Sequence, residues 1–340
     1  MRRSGRGAKT LAGIFPPNRY SHLLENMMTN LQSNSRRQFL KNAAALAGGV
    51  TLSQNLFAQL ASPKQAAEAP IRNFVGSNLY GWGQYYGRMK KDVNACLDEV
   101  LSALRDSGYD YLEGFLDTKN PENNGRLAER MRAKGLKPVC IYSGAALHDA
   151  AKVDETIRNL IEAAKVCQQA GFKIIDVNPQ PIGREKTDEE LKTQVKGLNQ
   201  LGAELKSLGL RLGIHNHMPE MASNAREFHY EMRQTDPALV GLNYDVHWVF
   251  KGGLLPKDCL REYGRRIVSW HLRQSRNGIW WEDLDSGDID FEAVARYARQ
   301  HRLTAPYTVE LAIEKDTQVT RSVVENHRRS REFVRKVFGS

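Results

Sequence analysis

Residues 209–221, GLRLGIHNHMPEM, place His215 and His217 at alternate positions where a short apolar run gives out. In an extended chain alternate side chains share a face, so both imidazoles point one way and Asn216 the other. Two imidazoles with Glu220 just beyond suit a divalent metal or a proton relay better than a core. The pattern recurs downstream. Asp245 and His247 follow LVGLNY, His271 follows IVSW, and Glu310 follows YTV. His215, Asp245, His271 and Glu310 form a set of two imidazoles and two carboxylates. Such a set suits Mn²⁺, Zn²⁺ or Fe²⁺, with positions left open for substrate oxygens. A metal so held polarises a carbonyl and stabilises a developing enolate. Proton transfer beside that carbonyl then needs an acid and a base, for which the candidates are Glu113, His217, Glu220 and His247. The alternative is a polar pocket without a metal.

These residues need a scaffold that brings distant segments together. Strand-like runs at 73–77, 109–115, 137–142, 173–178, 211–215, 239–245, 267–271 and 307–311 alternate with amphipathic helical segments. Thr187 and Glu190 form a capping box ahead of one of these. Gly108, Gly135, Gly171 and Gly209 each close a helical pattern and lead at once into a strand. Eight such units in about 270 residues predict an α/β fold, a single (β/α)8 TIM barrel. A doubly wound open sheet is the runner-up. It lacks support, because Gly81-Trp82-Gly83 is the nearest approach to a dinucleotide fingerprint. In a barrel the carboxyl ends of the strands carry the chemistry. That rule adds Asn78, Tyr142, Asn178, Trp248, Arg273 and, from the Trp280-Trp281 pair, Trp281 as substrate contacts. The remaining histidines, His22, His148, His229, His301 and His327, are expected to be solvated, with His148 a possible exception beside the third strand.

The chain of 340 residues carries a formal charge of +10. Residues 1–41 hold eight Lys and Arg against Glu25 alone, so the basic excess is concentrated there. Nucleic acid is therefore not an expected partner. The cysteines, Cys96, Cys140, Cys167 and Cys259, lie far apart and read as buried free thiols.

Ser35-Arg36-Arg37-Gln38-Phe39-Leu40-Lys41, followed by a weakly apolar run, closely resembles a twin-arginine export signal. The domains expected are a leader at 1–61, a linker at 62–70 and a barrel at 71–340. The resemblance implies the twin-arginine export machinery as a partner and a periplasmic location. Gly48, Gly49, Gln54 and Asn55 interrupt the apolar run, so no stable membrane anchor is expected. Oligomeric state is not legible.

The segments IHNHMPE, NYDVHW, HLRQS, GDIDF and TVELAIE closely resemble strand-end motifs of the xylose isomerase-like barrels, the sugar phosphate isomerase/epimerase superfamily. The resemblance covers about residues 71–340 and implies a divalent metal held at Asp245, His271 and Glu310. Two departures stand out. His215 occupies a position where the family often has a glutamate, and Arg273-Gln274 replaces a frequent lysine-aspartate pair. The nuclease branch is disfavoured, since neither its richer ligand set nor a basic DNA face is evident. The expected function is a metal-dependent isomerase or epimerase. It would act on a non-phosphorylated sugar or keto-sugar through a metal-stabilised enediolate. The alternatives are a lyase eliminating from a 3-keto-sugar or 3-keto-glycoside, and a catalytically dead carbohydrate-binding protein.

Overall fold

The computed structural model describes residues 73–340; the expected leader with its Arg36-Arg37 pair and the linker at 62–70 lie outside them. Eight parallel strands form one closed barrel. In chain order they are β1 Val75–Asn78, β2 Tyr111–Phe115, β3 Cys140–Ala145 and β4 Ile174–Pro179. Then come β5 Arg211–His215, β6 Val240–Asp245, β7 Ile267–Leu272 and β8 Tyr307–Val309. Each strand pairs with its neighbours in sequence, and β1 closes the ring on β8 with Val75 opposite Tyr307. Gly108, Gly135, Gly171 and Gly209 adopt left-handed φ between 74° and 89°, as the repeated helix-to-strand turn requires. The Thr187 hydroxyl and the Glu190 carboxylate cap the helix Asp188–Ser207 reciprocally.

Only β5 has the expected bounds, and two of the shifts bear on the site. β3 starts at Cys140, not at residue 137, because Pro138 has no amide hydrogen for the ladder. Tyr142 therefore lies within the strand and not at its end. β8 stops at Val309, leaving Glu310 as the first residue beyond it.

Bulky branched side chains usually fill such a barrel. Below the mouth this one is smaller and more polar. Asp176 of β4 is fully buried and accepts the Ser269 hydroxyl at 2.7 Å. It occupies the space where a Cβ on Gly213 would lie, 2.1 Å from Asp176 Oδ1. Cys140, Cys167 and Cys259 are buried free thiols and Cys96 is half-buried. Among the described residues no helix is long and apolar enough to cross a membrane.

His327 is not solvated, contrary to the sequence expectation. It lies in the helix Val323–Phe338, wholly buried and stacked on Trp82 at 4.2 Å between ring centroids. Its Nδ1 pairs with the Val323 carbonyl at 2.7 Å and its Nε2 with Ser77 Oγ at 2.9 Å. Burial pushes its pKa down to about 4. The unfolded chain protonates this imidazole below about pH 6.5 and the folded chain does not, so stability present above that pH is lost on acidification. The expected loss attributable to this residue is about 2 kcal/mol between pH 7 and pH 5. Urea midpoints at the two pH values for wild type and His327→Gln measure it. Equal pH dependence in the two proteins would refute the assignment.

Candidate metal centre

The donors converge at the carboxyl ends of β5, β6 and β7. His215, Asp245 and His271 each offer one ligand atom, and these three atoms lie within 4.8 Å of one another, all buried. His215 Nε2 stands 3.9 Å from Asp245 Oδ2. Asp245 divides its oxygens. Oδ1 accepts the Trp248 amide at 2.8 Å, capping the helix Val246–Lys251, while Oδ2 has no hydrogen-bond partner. Glu310, expected as the fourth ligand, stands just outside this set. Its Oε2 pairs with His271 Nδ1 at 2.7 Å and its Oε1 accepts from Arg273 Nη1 at 3.1 Å.

Both nitrogens of His215 and Asp245 Oδ2 are buried without hydrogen-bond partners, and His271 Nε2 faces Glu113 Oε2 at 2.9 Å. Such atoms are costly unless something satisfies them. Two imidazoles and a carboxylate are a sound donor set for a divalent cation. The residues fit a metal.

Charge is balanced locally. Burial opposes a charge on His271, yet Glu113, whose Oε2 is 2.9 Å from Nε2, and Glu310 outweigh it and raise the imidazole well above its ordinary pKa. Burial would raise Glu310, but Arg273 and His271 hold it down to about 2. Burial lowers His215 well below its ordinary value and pushes Asp245 up to about 6.

The other expected site residues fall into three groups. Glu113, His217 and Glu220 surround the donors. Asn78 caps the helix Leu79–Arg88 through Oδ1 and donates from Nδ2 to Glu113 Oε2 at 2.5 Å, so it positions Glu113. His217 lies edge-on to His215 at 4.4 Å between centroids, confirming that alternation puts the two on one side. Glu220 Oε2 accepts the His217 amide at 2.7 Å and lies 3.4 Å from Asn178 Nδ2. Burial pushes Glu220 up to about 7 and His217 down to about 4.

The second group is aromatic. Tyr142 meets His215 edge-on at 5.4 Å, and Trp248 meets His217 at 5.6 Å. Arg273 lies over Trp280 at 4.1 Å and over Trp248 at 5.1 Å. The tryptophan beside Arg273 is thus Trp280; the ring contact of Trp281 is with Arg276, at 3.9 Å. Their order along the short hairpin, which runs Ser275–Arg276 and Ile279–Trp280, was not enough to tell the two apart.

His247 stands by itself. It packs among Trp248, Phe250 and Trp280, and no hydrogen bond or ion pair joins it to the three donors. Asp176, which sequence reading passed over, forms a second buried group with Glu113 and Cys140. Its signal was faint, a lone acid in the apolar strand KIIDVN.

A family model, the xylose isomerase-like TIM barrel, matches residues 101–337. The chain belongs to this family. The inosose dehydratase of Geobacillus kaustophilus (strain HTA426) is 27% identical over 233 residues, 64% of this chain and 71% of that protein. A sugar phosphate isomerase/epimerase from Parabacteroides distasonis ATCC 8503 superposes with a TM-score of 0.64 at 19% identity, covering 79% of this chain and 95% of its own. The IolI protein with a bound zinc atom superposes at 0.61 and 18% identity, over 78% and 98%. The xylose isomerase-like barrel described here is an enzyme, of a kind whose similar members are named dehydratase, isomerase or epimerase.

Proposed function

We propose that this barrel is a metal-dependent lyase that removes water, or another β-leaving group, from a keto-sugar. That reaction stood second on sequence alone. It moves ahead because a relative 27% identical over 233 residues is named a dehydratase. The observation that carries the reading is the convergence of His215, Asp245 and His271, with unmatched donor atoms, beside His217 and Glu220. A divalent ion held by these three residues, with Glu310 adjoining, would polarise a ketone and acidify the neighbouring C–H bond. His217, kept neutral by burial, accepts the α-proton at one ring nitrogen. Glu220, raised to about 7, retains a proton near neutral pH and passes it to the departing oxygen, which leaves as water or an alcohol. The His217 amide and Asn178 orient that carboxyl group. Burial of the site excludes bulk water.

Isomerisation or epimerisation remains the second reading. What favours it is that Glu113 and Glu310 flank opposite nitrogens of His271, giving two separate carboxylates for proton transfer. A dead binding protein is disfavoured by the unmatched donors. The leader motif supports export by the twin-arginine route, and with it a non-phosphorylated substrate in the periplasm. Incubating metal-loaded enzyme with keto-sugars and 3-keto-glycosides in deuterated water tests the proposal. The expected product has lost water or an aglycone. Exchange of an α-hydrogen with mass otherwise conserved would overturn elimination and select the epimerase reading.

A further inference from the structure

Beside the metal donors, the corner formed by Arg273, Trp248 and Trp280 is rich in unmatched donors, with the unpartnered His247 ring packed against both indoles. Arg273 Nε and Nη2 and the indole nitrogens of Trp248 and Trp280 are all buried, and none has a hydrogen-bond partner. All four are donors, and an indole nitrogen can be nothing else. The guanidinium is already committed at its other end, where Nη1 donates to Glu310 Oε1 at 3.1 Å. Asp245 Oδ2 stands 3.6 Å from Nη2, too far to satisfy it. The two indole rings lie 4.1 Å and 5.1 Å from the guanidinium carbon and 5.7 Å from each other. They fix its plane without consuming its N–H groups.

We propose that this corner is a carboxylate subsite, and that the substrate of the barrel is an acidic sugar. The inference rests on the reading of the site as sugar-modifying, and it names the substrate class. Nε and Nη2 form the side edge of a guanidinium, two parallel N–H groups whose spacing matches the two oxygens of a carboxylate. A sugar hydroxyl brings one oxygen that must also donate, whereas an ionised carboxylate only accepts and offers about four lone-pair positions. Four unmatched donor atoms therefore select a carboxylate over a hydroxyl. The flat aromatic flanks suit a planar group.

Calorimetric titration of the full chain with D-glucuronate and D-galacturonate, each against its neutral parent aldose, tests the proposal without reference to turnover. Wild type should bind each acid at least about tenfold more tightly than the parent, as expected for a charge-assisted bidentate contact. Arg273→Gln should erase the preference, read as the ratio of acid to parent-sugar affinity within the same variant. Arg273 also balances Glu310, so that variant can lose its fold. Trp280→Phe keeps a ring, removes one donor, and should reduce the preference by about threefold. Equal affinity for acid and parent in wild type, no binding of either acid, or a preference unchanged in both variants would overturn the proposal. These outcomes are separable from the fate of the lyase reading. Elimination from neutral keto-sugars without acid preference leaves the reaction standing and removes the subsite. Acid preference without elimination does the reverse.

Discussion

Asp245→Asn is expected to empty the metal centre while leaving the barrel folded. The wild-type side chain has two separate tasks, since Oδ1 caps a helix and Oδ2 faces the other donors unpartnered. An amide oxygen can still accept the Trp248 amide, so the cap worth about 1 kcal/mol survives. The amide cannot supply the negative charge that a divalent cation requires. Bound metal should fall from about one ion per chain to below about a tenth. Turnover should drop by about 10³-fold, the scale of losing electrostatic stabilisation of a developing oxyanion. Thermal unfolding without added metal should remain within a few degrees of wild type. Full activity with undiminished metal would show that the ion, if any, sits elsewhere.

The second large effect is on stability. Gly213→Ala would place a Cβ 2.1 Å from Asp176 Oδ1 and 2.9 Å from Val268 Cγ2. Asp176 cannot swing aside cheaply, because it is fully buried and tied to Ser269. Overpacking of this sort costs about 1–3 kcal/mol, with the upper end expected here because a buried hydrogen bond is disturbed as well. The melting temperature should fall by roughly 4–12 °C, at about 2–4 °C per kcal/mol. Gly144→Ala is the control. It too lies within a strand, a Cβ there meets nothing within 4 Å, and stability should stay within about 0.5 kcal/mol. A Gly213→Ala protein as stable as the control would mean the slot is not filled as described.

Much of the architecture could be read from periodicity. Eight apolar runs, four of them reached through Gly108, Gly135, Gly171 and Gly209, leave few alternatives to a closed barrel, and the strand-end rule then singled out His215, Asp245 and His271. What stayed hidden depends on three-dimensional neighbours. Nothing local distinguishes Trp280 from Trp281, since only the twist of a two-residue hairpin decides which ring meets Arg273. His327 reads as a surface residue in the helical run VVENHRR, yet Ser77 and Trp82, some 250 positions away, bury it. Asp176 is a lone acid in an apolar strand, and the residues that make room for it, Gly213 and Ser269, are distant in sequence. The residues 1–72 that carry the Arg36-Arg37 motif lie outside the described structure.

The contact of His271 Nε2 with Glu113 joins β7 to β2, two strands separated by β8 and β1 along the ring. It spans the seam where the last strand must find the first. His271 is also one of the three candidate metal donors, and the other two stand on the adjacent strands β5 and β6, so a cation held there would lean on the same imidazole that makes this cross-ring contact. An ion bound by the folded barrel and not by the unfolded chain would hold that fold together by mass action, apart from any part it took as a reagent.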